Sequence, residues 1–94
     1  MQADQHRFYR SLGHVLESRR HARGLSRRQL CEQLGDPRRS HSCYQYERAI
    51  SRPSIWWLMD WCREMGLTVE EVIDEASEER EKEDPLSKGT PGEG

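Results

Sequence analysis

The chain has 94 residues, which is the size of one small domain. Of these residues, 33% are hydrophobic and 34% are charged, and the formal net charge is -2. No apolar run is long enough to cross a bilayer, and the first residues contain no apolar stretch typical of a secretion signal. The three cysteines, an odd number without close pairing, favour reduced thiols and a cytoplasmic protein over a disulfide-stabilised one.

The charges are divided unevenly along the chain. Residues 1–56 contain 11 arginines and 5 acidic residues, whereas residues 57–94 contain 4 basic and 12 acidic residues. An arginine-rich first part suits phosphates and base edges, because the planar guanidinium can donate two hydrogen bonds to one partner. The pattern predicts a surface that binds a polyanion; an ordinary solvated surface is the alternative.

Apolar residues recur at helical spacing and predict an all-α fold of five helices. The first helix spans about Gln5 to Ala22, and Gly24 follows its end. Ser26 and Gln29 form a capping box that opens a second helix, which Gly35 ends. The residues expected to face the core from these two helices are Phe8, Leu12, Val15, Leu16, Leu30, Cys31 and Leu34.

The same reasoning predicts three further helices. The third runs from about Ser40 to Arg48, and the fourth from Ile55 to Met65 after a Pro-Ser start. Thr68 caps the fifth. The residues expected to face the core are Cys43, Tyr46, Ile55, Leu58, Trp61, Cys62, Met65, Val69, Val72 and Ile73. Residues 1–76 are therefore predicted to form the domain, and residues 77–94 an acidic, mostly disordered tail.

Two short helices joined by a tight connection that contains glycine are typical of a helix-turn-helix. The ordered markers are Arg20, Gly24-Leu25-Ser26, Leu30, Glu47-Arg48, Pro53-Ser54 and Met65-Gly66-Leu67-Thr68. With this order and spacing, Leu12 to Asp74 resembles the Xre/Cro family of lambda-repressor-like DNA-binding domains of bacteria and phages. Asp36-Pro37 is a two-residue insertion relative to that family, and Ala49 stands where the family commonly has glycine.

The resemblance implies a transcriptional regulator, expected here to be a dimeric repressor, that binds double-stranded DNA as a homodimer. Its third helix would lie in the major groove, where short or planar polar side chains meet base edges. The predicted base contacts are Ser40, His41, Tyr44 and Gln45. Ordinary surface polarity of a short helix is the alternative for these four residues.

The arginines are expected to have two roles. Those at the start of the second helix and around the third would hold the DNA backbone without reading sequence. These predicted phosphate contacts are Arg27, Arg28, Arg38, Arg39, Arg48 and Arg52. The resemblance gives Arg20 a different role, because the family's arginine at this position pairs with the glutamate that Glu47 matches; such a pair is structural.

Catalytic patterns are missing from the sequence: it has no Ser-His-Asp order, phosphate loop or carboxylate pair, so we predict no enzyme and no cofactor. The cysteines lack zinc-site spacing and are interpreted as core thiols.

The adjacent Trp56 and Trp57, with Val69 and Val72, predict an interface. The alternative function is a helix-turn-helix adaptor or antitoxin-like protein that acts through a protein partner, bound by the tryptophans or the acidic tail. RNA binding is less favoured.

Overall fold

The computed structural model describes residues 3–36 and 39–83, which form five helices and contain no strand. The helices are α1 (Ala3–Ala22), α2 (Arg27–Gln33), α3 (Ser40–Glu47), α4 (Ile55–Met65) and α5 (Val69–Glu83). The predicted all-α class is confirmed. Among the described helices, none combines the length and the apolar character that a membrane span requires.

The ends of the helices are set by the local signals in the sequence. Ser26 and Gln29 exchange capping hydrogen bonds of 2.8 and 3.0 Å, and Thr68 and Glu71 do the same at 2.8 and 3.0 Å. Gly66 ends α4 with a φ of 72°, a left-handed conformation that glycine adopts without steric cost. Local chemistry thus fixes where α2 and α5 begin and where α4 ends.

The core lies where α1 packs against α5 and α3, α2 packs against α3, and α4 packs against α5. Its buried hydrophobic residues are Leu12, Val15, Leu16, Leu30, Cys31, Cys43, Trp57, Leu58, Trp61, Cys62, Met65, Val72 and Ala76. Phe8, Leu34, Tyr46, Val69 and Ile73 are partly buried against it. Most of the predicted inward residues therefore face the core, wholly or in part.

The buried face of α4 differs from the predicted one at its first turn. Ile55, predicted to face the core, is 58% exposed, whereas Trp57, predicted to lie at an interface, is 4% exposed. The ring of Trp57 packs edge-on against Tyr46, with centroids 4.8 Å apart. Trp57 also lies four residues before Trp61 on the same face of the helix, and burying the larger indole removes more apolar area from water.

Helix α5 continues beyond the predicted end of the domain at residue 76. Arg19 donates two hydrogen bonds to Glu75, at 3.0 and 2.7 Å, and His14 lies 3.1 Å from Glu79. Two acidic side chains of α5 thus meet Arg19 and His14 of α1 where the two helices pack together. Residues 77–83, which belong to the predicted tail, are helical, and the remainder of that tail, 84–94, lies outside the described residues.

Helices α1 and α3 approach each other closely at Gly13. A Cβ atom added to Gly13 would lie 2.3 Å from the carbonyl oxygen of Glu47 and 2.9 Å from that of Tyr46. Only glycine permits this backbone contact, because any side chain would overlap the end of α3. Gly13 therefore fixes the position of α3 on the body of the domain.

Candidate nucleic-acid interface

The outer face of α3 carries the predicted base contacts. Cys43 and Glu47 are buried, so the opposite side of the helix presents His41 and Tyr44 to solvent. Their rings are stacked, with centroids 6.3 Å apart and an interplanar angle of 19°. Ser40, at the first turn of α3, is half-buried. The structure therefore brings two aromatic side chains together at the centre of the exposed surface.

Gln45 completes this face next to the turn that follows α3. Its side chain is half-buried, and its Oε1 accepts a long hydrogen bond of 3.4 Å from the hydroxyl of Ser51. Its carbonyl accepts hydrogen bonds from the backbone N–H groups of Ile50, at 2.8 Å, and Ser51, at 3.3 Å. The turn thus holds the backbone of Gln45. Its weak side-chain hydrogen bond can be replaced by one to another partner with better geometry.

Two guanidinium groups lie over the Tyr44 ring. The Cζ of Arg27 is 5.0 Å from the ring centroid and that of Arg48 is 5.7 Å from it. Cations this close to an aromatic face are attracted by its negative quadrupole. Tyr44, which is 38% exposed, is thus surrounded by positive charge. Sequence spacing gave no sign of the Arg27 contact, because it joins two different helices.

A buried ion pair ties α3 to α1. Arg20 donates from Nε to Oε2 of Glu47 at 2.8 Å and from Nη2 to Oε1 at 3.1 Å, and both residues are almost fully buried. Burial alone would raise the pKa of Glu47, but hydrogen bonds from Arg20 and Arg27 outweigh it and hold that pKa below its ordinary value. The structure therefore contains the Arg20–Glu47 pair that the resemblance implied.

Arg27 is the third member of this ion cluster, which differs from the phosphate contact predicted for it. Its Nε donates to Oε1 of Glu47 at 2.8 Å, and its Nη2 lies 3.6 Å from Glu17. The side chain is 28% exposed. Because two carboxylates of the chain already hold its charge, Arg27 is engaged inside the protein and is poorly placed for a phosphate.

The other predicted phosphate contacts in the described part of the chain are exposed. Arg28 and Arg39 have side chains that are 79% and 56% exposed, with carboxylates at 3.6 and 3.7 Å. Arg48 is exposed beside Tyr44, and Arg52 is exposed with its Cζ 5.8 Å from the Tyr9 ring centroid. Arg38 lies outside the described residues. Surface pairs of this kind are weak, so these arginines can turn to a phosphate at little cost.

The cysteines are buried, unpaired as disulfides and protonated. Burial raises the pKa of Cys31 and Cys43, and it raises the pKa of Cys62 to about 11. A thiolate is the form that attacks electrophiles and binds metals, and burial disfavours it here. Over residues 3–36 and 39–83, no group of three or more histidine, cysteine or acidic side chains could hold a metal ion.

The predicted interface residues differ in their exposure to solvent. Trp57 and Val72 are buried in the core, which corrects the expectation that they form a binding surface, and Val69 is half-buried. Trp56 is 73% exposed. It lies on the outer face of α4 with Ile55, which is 58% exposed, and Met59, which is 39% exposed. We call these three residues the α4 apolar patch.

The chain was compared with protein-family models, with curated proteins and with solved structures. None of the three comparisons found a match. The function is therefore inferred from the residues of this chain and their geometry.

Proposed function

We propose that the protein is a sequence-specific DNA-binding transcriptional regulator with a lambda-repressor-like helix-turn-helix fold of the Xre/Cro type. The observation that carries the proposal is the outer face of α3, where His41, Tyr44 and Gln45 lie side by side. The inner side of this helix is held against the rest of the domain through Glu47. An α-helix fits the major groove, and polar and aromatic side chains on its outer face can meet base edges there. The half-buried Ser40 belongs to the proposed reading set as its first residue.

The charges around α3 support the same partner. These arginines are exposed on α2, on either side of α3 and in the loop before α4: Arg28, Arg39, Arg48 and Arg52. Arginine contacts to phosphates supply a large share of the affinity for DNA and fix the register of the protein on the duplex. On α5, Glu75 and Glu79 pair with α1 instead of facing these arginines. These two carboxylates of α5 are thus engaged with α1 and not with the exposed arginines.

The anchoring of α3 also supports a role in reading sequence. Glu47 at its end receives hydrogen bonds from Arg20 and Arg27, and its backbone contacts Gly13. A reading helix has to present its side chains in a fixed geometry, because a bidentate contact to a base tolerates little displacement. The three contacts hold the helix on its inner side and leave the outer side available to DNA.

The test is selection of bound duplexes from a random pool by the purified full-length protein. The proposal predicts an enriched motif whose affinity exceeds that of a scrambled duplex by about 10³-fold or more. Enrichment of no motif, with equal affinity for all duplexes, would contradict it. A double variant that replaces His41 and Gln45 by alanine should lose the enrichment while it keeps its helical circular dichroism.

We propose that the regulator acts as a homodimer, and that the α4 apolar patch forms its interface. Exposed tryptophan and isoleucine next to each other are costly in water and are typical of surfaces that bind a partner. A symmetric dimer would place two α3 helices about 34 Å apart, one turn of duplex, and would read a palindrome. Sedimentation equilibrium of the wild type and of Trp56→Ser tests this, since the substitution should shift the protein towards monomer.

The same patch supports a second candidate function, an adaptor that binds another protein. The apolar residues Phe8, Pro53 and Ile55 line a pocket of about 200 Å³ at this end of the domain, which an apolar side chain of a partner could enter. The two functions differ in what they require. An adaptor would show no enriched duplex and would stay monomeric until its partner is added, whereas the regulator would show the enriched palindrome on its own.

A further inference from the structure

Arg27 lies between the buried ion cluster and the exposed face of α3. Its Nε donates to Glu47 at 2.8 Å, and its Cζ is 5.0 Å from the centre of the Tyr44 ring. A second carboxylate, that of Glu17, is 3.6 Å from its Nη2. One guanidinium therefore connects a fixed carboxylate inside the domain with an aromatic ring on its surface.

The hydrogen bond to Glu47 restricts the movement of Arg27. Glu47 is 2% exposed, and a buried charge that loses a partner is destabilised far more than a surface charge. Arg28, the next residue, has a side chain that is 79% exposed and lacks this constraint. If this part of α2 met DNA, Arg28 could move to a phosphate, whereas Arg27 would first have to leave its two carboxylate partners.

We propose that Arg27 is a positioning residue, which holds the Tyr44 ring in one orientation on the outer face of α3 and so sets sequence preference rather than overall affinity for DNA. This inference rests on the proposed function. A ring that is already oriented loses less conformational freedom when it meets a base, so the correct sequence is favoured over others. Arg48 also lies over the ring, at 5.7 Å, but it is exposed, so the ring's orientation depends chiefly on Arg27.

The substitution Arg27→Lys distinguishes the effect of the positive charge from that of the planar guanidinium group. A lysine keeps the positive charge and can pair with Glu47, but its compact ammonium cannot stack on a ring as a guanidinium does. Arg20 still gives Glu47 two hydrogen bonds, which keeps the buried carboxylate paired and the fold intact. The probes are the duplex selected from the random pool and a scrambled duplex of the same composition.

We expect R27K to reduce the ratio of the two affinities by about two- to fivefold, the range that one stacked cation contributes. The affinity for the scrambled duplex and the slope of log affinity against log salt should stay as in the wild type. In a Tyr44→Ala background, R27K should leave the ratio unchanged, since its target ring is gone. Arg63→Lys, at a 74% exposed position on α4, is the matched control and should change none of these quantities.

Two results would overturn the inference: a ratio unaffected by R27K, or the same loss of ratio in the wild-type and Y44A backgrounds. If R27K does not fold, Arg27→Gln is measured in the wild-type and Y44A backgrounds instead. The inference then stands only if Arg27→Gln lowers the affinity ratio in the wild-type background and not in the Y44A background. Failure of the proposed function is distinguishable, because no duplex would then be enriched by the wild type. That outcome would overturn both proposals, whereas an enriched duplex with no Arg27–Tyr44 coupling would overturn only this one.

Discussion

Gly13 of α1 faces the backbone of Glu47, the last residue of α3, at a distance that leaves no room for a side chain. A Cβ at position 13 would lie 2.3 Å from the carbonyl oxygen of Glu47 and 2.8 Å from its carbonyl carbon. Both are shorter than real Cβ contacts, and the atoms concerned belong to backbone that cannot rotate away. Helix α3, the proposed recognition helix, therefore packs directly against α1 at Gly13.

Replacing Gly13 by alanine should destabilise the protein, although alanine is the better helix former. The gain in helix propensity is about 1 kcal/mol, whereas forcing α3 away from α1 costs about 1–3 kcal/mol and disturbs the Arg20–Glu47 pair as well. Urea denaturation of G13A measures the balance. The control is Ser18→Ala at an exposed position of α1, which should be neutral or slightly stabilising. A G13A protein as stable as S18A would refute the close contact.

Replacing Ala49 by glycine should stabilise the protein by about 1 kcal/mol, because an L-residue with a positive φ is strained. Ala49 has a φ of 59° in the turn after α3, and it is the one described residue other than glycine with a positive φ. The thermal midpoint of A49G should therefore rise. Ala22→Gly, at a helical position in the last turn of α1, should have the opposite sign. A lower midpoint for A49G would show that the turn is not strained.

The sequence predicted local features of this fold better than features that join distant segments. Ser26 and Thr68 cap their helices as predicted, because a cap depends only on residues within one turn, and Ser54 caps the helix that follows the predicted Pro-Ser start. The contact of Gly13 with α3 and the Arg27–Tyr44 contact were missed, since each joins two elements whose relative position the sequence pattern does not encode. Periodicity also favoured burial of Ile55, which the first turn of α4 leaves exposed.

The predicted domain boundary at residue 76 falls inside α5 for a related reason. The residues after Ala76 have no apolar face, and by composition they resemble a disordered segment. Glu79, one of these residues, pairs with His14 of α1, which lies 65 residues from it in the chain. A pairing over such a separation becomes visible only once the two helices are placed side by side.

The stability of the protein should fall in acid because of Glu47. Burial disfavours its charged form, but the hydrogen bonds from Arg20 and Arg27 prevail, so the folded-state pKa of Glu47 lies below the ordinary value of 4.5. The unfolded chain therefore takes up this proton at a higher pH than the folded chain does. The contribution of Glu47 to stability is complete above the unfolded-state pKa and is lost as the pH falls through the folded-state pKa.

The titration of the Glu47 side-chain carboxyl carbon, followed by NMR in the folded protein, measures this directly. We expect a midpoint below 4.5, together with a free energy of unfolding that decreases as the pH falls below that value. A midpoint at or above 4.5 would mean that burial outweighs the two arginines and that the ion cluster contributes no stability of this kind.

Replacing Ser77 by proline tests whether the end of α5 belongs to the folded domain. Proline removes a helical hydrogen bond and clashes with the preceding turn, at a cost of about 3 kcal/mol inside a helix. The half-buried Glu79 and Arg80 would lose their positions on the domain. Ser77→Ala is the control, because alanine keeps the helix. Equal thermal midpoints for the two variants would show that the helix beyond Ala76 contributes nothing to stability.

The central claim is that the outer face of α3 reads DNA sequence, and Gln45→Ala tests it most directly. The measurement is the affinity of the wild type and of Q45A for the selected duplex and for a scrambled duplex at one salt concentration. Glutamine can pair with both N6 and N7 of adenine, so Q45A should lose about 1–3 kcal/mol on the selected duplex and almost nothing on the scrambled one. Equal losses on both duplexes, or no loss on either, would contradict the claim.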